Sequence, residues 1–129
     1  MKLTIDYGAD LDWYVVDANG HIALFCTNGE GFSPEENDEF DNDESIYDWH
    51  DSLKDDKGVS EAVKVPNKYW EKVASKGLFA YDFTDNSYEM VASSNNPIKF
   101  EDTELIDKNV IKVDFKFEDK KVIKEKDLS

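Results

Sequence analysis

Arginine is absent from this chain. All fifteen basic residues are lysine, set against thirty Asp and Glu for a formal net charge of −15. The planar fork that grips phosphate in two-point fashion is therefore missing, and the overall field repels polyanions. Direct nucleic-acid binding is not expected. Cys26 is the single cysteine, which rules out an intramolecular disulfide and a CxxC metal ribbon. No run of about 18 apolar residues occurs, and the opening "MKLTIDYGADLD" has no apolar h-region. The expectation is a cytoplasmic protein without a membrane partner. There is no internal repeat and no Pro/Gly/Ser-rich linker, so residues 1–129 are expected to be one domain. GxSxG, HExxH, a P-loop and a dinucleotide fingerprint are all lacking, and no cofactor is expected.

What is present is enough for a core. Hydrophobic residues make up 40% of the chain and aromatics 13%, too rich for a disordered segment. The charge is unevenly spread. Residues 1–53 hold fourteen acids and one lysine, a net of −13, whereas residues 54–129 come to −2. Such a half attracts cations or basic proteins, and self-repulsion favours a monomer.

The apolar pattern predicts α+β: a mainly antiparallel sheet of about five to six strands with two inserted helices. "DWYVVD" and "HIALFCT" read as strands covered on both faces, joined through Asp17-Ala18-Asn19-Gly20, whose Asn-Gly pair suits a type I′ turn. Ser33-Pro34-Glu35-Glu36 reads as a capping box opening a first helix that runs toward Leu53 or Lys54. "NKYWEKVASK" reads as a second helix after Pro66, stopped by Gly77, with Tyr69, Trp70, Val73 and Ala74 facing the core. "LFAYDF" and "YEMVAS" flank a turn at 84–87. Ile111, Val113, Phe115 and Phe117 alternate with polar residues as a one-side-buried strand, and "KVIK" is a last strand.

The candidate site lies in the acidic stretch "SPEENDEFDNDESIYDWHD", residues 33–51. On a helix, Ile46, Trp49 and Leu53 form an apolar stripe, and Asp41, Glu44, Asp48, Asp51 and Asp55 form a second stripe roughly opposite, with Tyr47 beside it. Acids in a first turn suit the helix dipole. The later line has no such reason, and each like-charge pair costs about 0.2–0.5 kcal/mol on a helix. A solvated face is the plain alternative; a docking face for a basic partner would relieve the repulsion, with Tyr47 as an aromatic anchor. Calcium fits poorly, because an EF-hand loop started at Asp41 places Ile46 at the glycine and Ser52 at the bidentate glutamate.

For nucleophilic catalysis the chain offers Cys26 with His21 or His50. Residues 21 and 26 fall on opposite faces of a regular strand, so only Cys26 with His50 stays open.

"DWYVVDANGHIALFCTNGEG" followed by a proline, then "YWEKVASKGLFAYD" and "NPI", resembles small bacterial immunity proteins encoded beside secreted polymorphic or contact-dependent inhibition toxins. The resemblance covers roughly residues 12–98 and rests on strand-and-turn patterns. It implies a cytoplasmic protein, not an enzyme, that binds and blocks one cognate toxin domain, often a nuclease with a basic cleft. The contact residues expected here, Asp41, Glu44, Tyr47, Asp48, Asp51 and Asp55, rest on charge alone. The alternatives are an acidic adaptor that binds another basic protein, and a small hydrolase built on Cys26 and His50.

Overall fold

The computed structural model describes residues 3–34 and 48–128. These residues contain strands β1 (Leu3–Ile5), β2 (Asp12–Val16), β3 (Ile22–Cys26), β4 (Phe32–Pro34), β5 (Val59–Ala62), β6 (Phe79–Thr84), β7 (Ser87–Ser94), β8 (Ile111–Lys112) and β9 (Val122–Ile123). They also contain helices α1 (Tyr69–Ser75) and α2 (Glu125–Leu128), and four short 3-10 turns. Seven strands make one sheet in the order β5-β7-β6-β3-β2-β8, with β9 also on β7; β1 and β4 pair separately. The β3–β6 and β2–β8 pairs are parallel and the other pairs antiparallel. The α+β, mainly antiparallel class is the expected one. The sheet is wider than expected because β5, "VSEA", carries no apolar alternation by which a strand is recognised.

The two central strands are buried on both sides, as continuous apolar runs require. Tyr14, Val16, Ile22, Leu24 and Cys26 face one core with Trp49, Trp70, Val73 and Ala74. Trp13, Val15, Ala23 and Phe25 face the other with Tyr81, Tyr88, Phe117 and Ile123. Helix α1 supplies the lid of the first core through Trp70, Val73 and Ala74, with Tyr69 at its border. Gly77 at φ +93 ends it, where a side chain would also strike Ile98.

Four local expectations are corrected. The turn after β2 is not type I′. Asn19 is absent from the positive-φ residues and only Gly20, at φ +79, is left-handed. Gly20 N donates to the Asp17 carbonyl, giving a type I turn followed by a left-handed glycine, the three-residue hairpin loop. Second, Ser33 and Pro34 are buried residues of β4, paired with Thr4 and Leu3, so no helix opens there. Proline is tolerated on such a short edge strand. Third, residues 49–52 are a 3-10 turn that ends at an extended Leu53 (ψ 148), so no helix runs through to Lys54. Fourth, the alternating run stops pairing after Lys112. Phe117 stays buried, but its N–H goes to the Asp17 carboxylate instead of a strand neighbour. Burial followed the alternation; the ladder did not.

Close packing under the second core leaves no room at Gly31. A Cβ there would lie 2.8 Å from Phe83 Cγ and 2.8 Å from the Tyr88 hydroxyl. That hydroxyl accepts from Trp13 Nε1 (3.1 Å) and donates to the Phe32 carbonyl (2.7 Å). Gly31→Ala is expected to cost about 1–3 kcal/mol by overpacking, read as a lower denaturant midpoint with an unchanged slope.

No helix among the described residues is long and apolar enough to cross a membrane.

Candidate binding site at the acidic end of the sheet

Strand register gathers acids that are distant in sequence. Asp12 opens β2 opposite Cys26, the last residue of β3, and Cys26 lies beside Asp82 of β6. These three positions form a row across one end of the sheet, on the face of the first core. Just beyond them, Asp10 Oδ1 accepts from Asn28 N (3.1 Å) and Asp82 Oδ1 accepts from Asn28 Nδ2 (2.6 Å). Asn28 can stand there because it takes a left-handed conformation, φ 54.

The 3-10 turn at 49–52 docks on the same end. Trp49 meets Tyr14 edge-on, centroids 5.5 Å apart, and His50 is buried beneath the turn. The Tyr14 hydroxyl accepts from His50 N (3.3 Å) and lies 3.0 Å from His50 Nδ1. The other ring nitrogen, Nε2, faces Asp51 Oδ1 at 3.4 Å and the Tyr69 hydroxyl at 3.5 Å. Burial lowers the His50 pKa and so favours the neutral ring, although Asp51 pulls the other way. Burial raises the Tyr14 and Tyr69 hydroxyls, which remain protonated. His50 thus acts as a peg that fixes Asp48 and Asp51 outside and Trp49 inside.

The consequence is an acid cluster around Asp12. Its pKa is raised to about 6, first by burial and then by the charges of Asp10, Asp48 and Asp51; the hydrogen bond with Cys26 opposes the rise. Of the residues expected from sequence, Asp48 and Asp51 join this cluster. Asp55 is exposed but follows the extended Leu53 and shares no helical line with them. Asp41, Glu44 and Tyr47 lie outside the described residues, as does Ile46. Asp51 is also less isolated than its own segment suggests, because Lys76 Nζ, at the end of α1, comes within 3.9 Å.

Asp10, Asp12 and Asp82 were not anticipated. A readable signal existed for Asp12: alternation puts it on the same face as Tyr14 and Val16, a carboxylate at the border of a core.

Cys26 does lie on the His50 face, while His21 stacks on Phe79 on the other side of the sheet, as the odd spacing requires. The Cys26 thiol, however, is bonded to Asp12, and burial with the surrounding carboxylates pushes its pKa well up, away from the thiolate. Neither ring nitrogen of His50 faces the sulfur as its hydrogen-bond partner; Tyr14, Tyr69 and Asp51 occupy them. Among the described residues no three His, Cys, Asp or Glu side chains come together as a metal site.

Asp12 carries a pH signature. Its folded pKa is above its ordinary value, so the native state holds the proton more tightly and stability falls as pH rises from about 4 to about 6. His50, whose folded pKa is lowered, acts oppositely: its share of stability is lost as pH falls below its ordinary value of 6.5. Asp12→Asn keeps an acceptor for the Cys26 thiol and removes the buried charge. At pH 8 the variant is expected to be more stable than the parent by on the order of 1 kcal/mol, after allowing for solvent screening, and equal to it near pH 4. Urea melts at the two pH values check this.

No family model matches the chain, and no curated protein or solved structure is detectably similar to it, so the geometry of this acidic end stands as the basis for reading its function.

Proposed function

We propose that this chain is a non-enzymatic binding protein of the immunity type, a cytoplasmic inhibitor that docks its acidic end onto a cognate toxin domain with a basic surface and neutralises it. One observation carries the reading: Asp12 is held half-buried as an acid among Asp10, Asp48 and Asp51, at a cost in stability that a water-facing surface has no need to bear. A basic partner converts that repulsion into attraction and is steered in by it. The raised thiol of Cys26 and the engaged nitrogens of His50 favour binding over catalysis. The resemblance noted from the strand-and-turn patterns supplies the partner class. An acidic adaptor for another basic protein would use the same surface.

The test is capture followed by rescue. The chain should recover a basic toxin domain from its native strain, and co-expression should restore growth to cells producing that domain. A recovered partner that is harmless to cells, or a toxin whose killing is unaffected by co-expression, would sink the immunity reading in favour of the adaptor.

A further inference from the structure

The turn that presents Asp48 and Asp51 outward also forms, on its inner side, one wall of a cavity of about 360 Å³. Trp49 and Leu53 line it from the turn; Pro97, Ile98, Asp102 and Glu104 line it from the segment that follows β7. The volume is at the low end of ligand-sized sites and suits a single long side chain. Two features mark the cavity as a receptor. Trp49 is only 8% exposed, yet its indole N–H has no acceptor among the described residues. A donor buried without a partner calls for an acceptor brought from outside. The lining is also biased in charge: two carboxylates stand against one ammonium, and the Lys99 ammonium is taken by the Asn19 carbonyl at 2.6 Å. Thr103 does not compete, since its hydroxyl donates to the Phe100 carbonyl and accepts from Leu105 N.

Resting on the docking reading above, we propose that this cavity receives an arginine side chain of the basic partner. The aliphatic stem lies along Leu53, Pro97 and Ile98, as long cationic side chains do on apolar walls. The guanidinium meets Asp102 and Glu104 in a geometry its planar fork favours. A shift of the buried indole on docking brings its N–H to the carbonyl of the same partner residue. An aromatic floor with a charged rim is the composition of an interface hot spot. Because the same turn, with Asp48 at its start, holds Asp51, one partner surface reaches both the acidic cluster and the cavity.

The test is an NMR titration of ¹⁵N-labelled protein with N-acetyl-arginine amide, following the Trp49 indole N–H. A saturable shift is expected at that proton and at Leu53, Ile98 and Thr103. N-acetyl-leucine amide should bind about tenfold more weakly, and Asp102→Asn with Glu104→Gln should weaken arginine-amide binding by a similar factor, the loss of a charge-assisted hydrogen bond. Both substitutions are at or near the surface and leave the core intact. Equal binding of the leucine amide, or an unchanged response in the double variant, overturns the proposal. A parallel titration with oligolysine separates the two readings. If oligolysine shifts Asp48 and Asp51 while arginine amide leaves the indole unmoved, the cavity proposal falls and the acidic docking face stands; if neither probe binds, both fall.

Discussion

Asp17→Ala is expected to destabilise the fold by about 3–5 kcal/mol, a third or more of the stability of an ordinary domain. The Asp17 side chain is buried and accepts three backbone N–H groups: Asn19 (2.9 Å) and His21 (2.8 Å) at Oδ1, and Phe117 (3.0 Å) at Oδ2. The first two close the β2–β3 turn. The third ties that turn to a segment 100 residues away, and it is reinforced by Ala18 N donating to the Phe115 carbonyl at 2.9 Å. Alanine leaves all three donors without the carboxylate, and the buried Phe117 N–H loses the acceptor it has here. Asp17→Asn should fall between, at about 1–2 kcal/mol, because its amide oxygen serves the turn while its NH₂ faces the Phe117 N–H, donor against donor. Thermal melts check both variants, with a drop of several degrees per kcal/mol for a chain of this size. Equal melting temperatures for Asp17→Ala and the parent would show that the turn does not depend on this carboxylate.

Asp17 also shows where reading the sequence stops. Its place before Asn19-Gly20 announces a hairpin, and the hairpin forms. Nothing local reports that the same carboxylate caps a turn near residue 117, because that contact depends on how β8 leaves the sheet. The alternation of Ile111 to Phe117 correctly predicts which side chains are inward. It cannot distinguish a strand from a chain that keeps its inward residues while giving its backbone bonds to a side chain. The pairs β6 with β7, and the helix α1 between Pro66 and Gly77, were legible because apolar spacing and turn residues agreed. The candidate site was legible in part. Asp48 and Asp51 stand out as acids beside an apolar Trp49. Asp12 and Asp82 come together through strand register, and Asp10 through its bond with Asn28, which no single segment displays. Lys76, which partly answers Asp51, is likewise brought in by α1.

The site makes its strongest claim on kinetics. Reversing Asp48 and Asp51 together to lysine is expected to slow association with the basic partner by about 10- to 100-fold at low salt, with a smaller effect on dissociation. Asp48 and Asp51 are exposed and lie outside the core, so far-ultraviolet circular dichroism should not change. Some stability should be lost, because Asp51 Oδ1 faces His50 Nε2 at 3.4 Å and a lysine there stands beside Lys76. Asp51→Asn, with Asp48→Lys, removes that complication and should keep most of the kinetic effect. The salt dependence is the discriminating measurement. At about 0.01 M salt charges act over about 30 Å, and at about 0.15 M over about 8 Å. Parent and variant rates should therefore converge as salt is raised, since the difference lies in long-range steering and not in contact shape. An unchanged association rate at low salt would show that partners arrive by another face. An affinity loss that persists undiminished at high salt and lies in the dissociation rate would instead assign Asp48 and Asp51 to the dry contact itself.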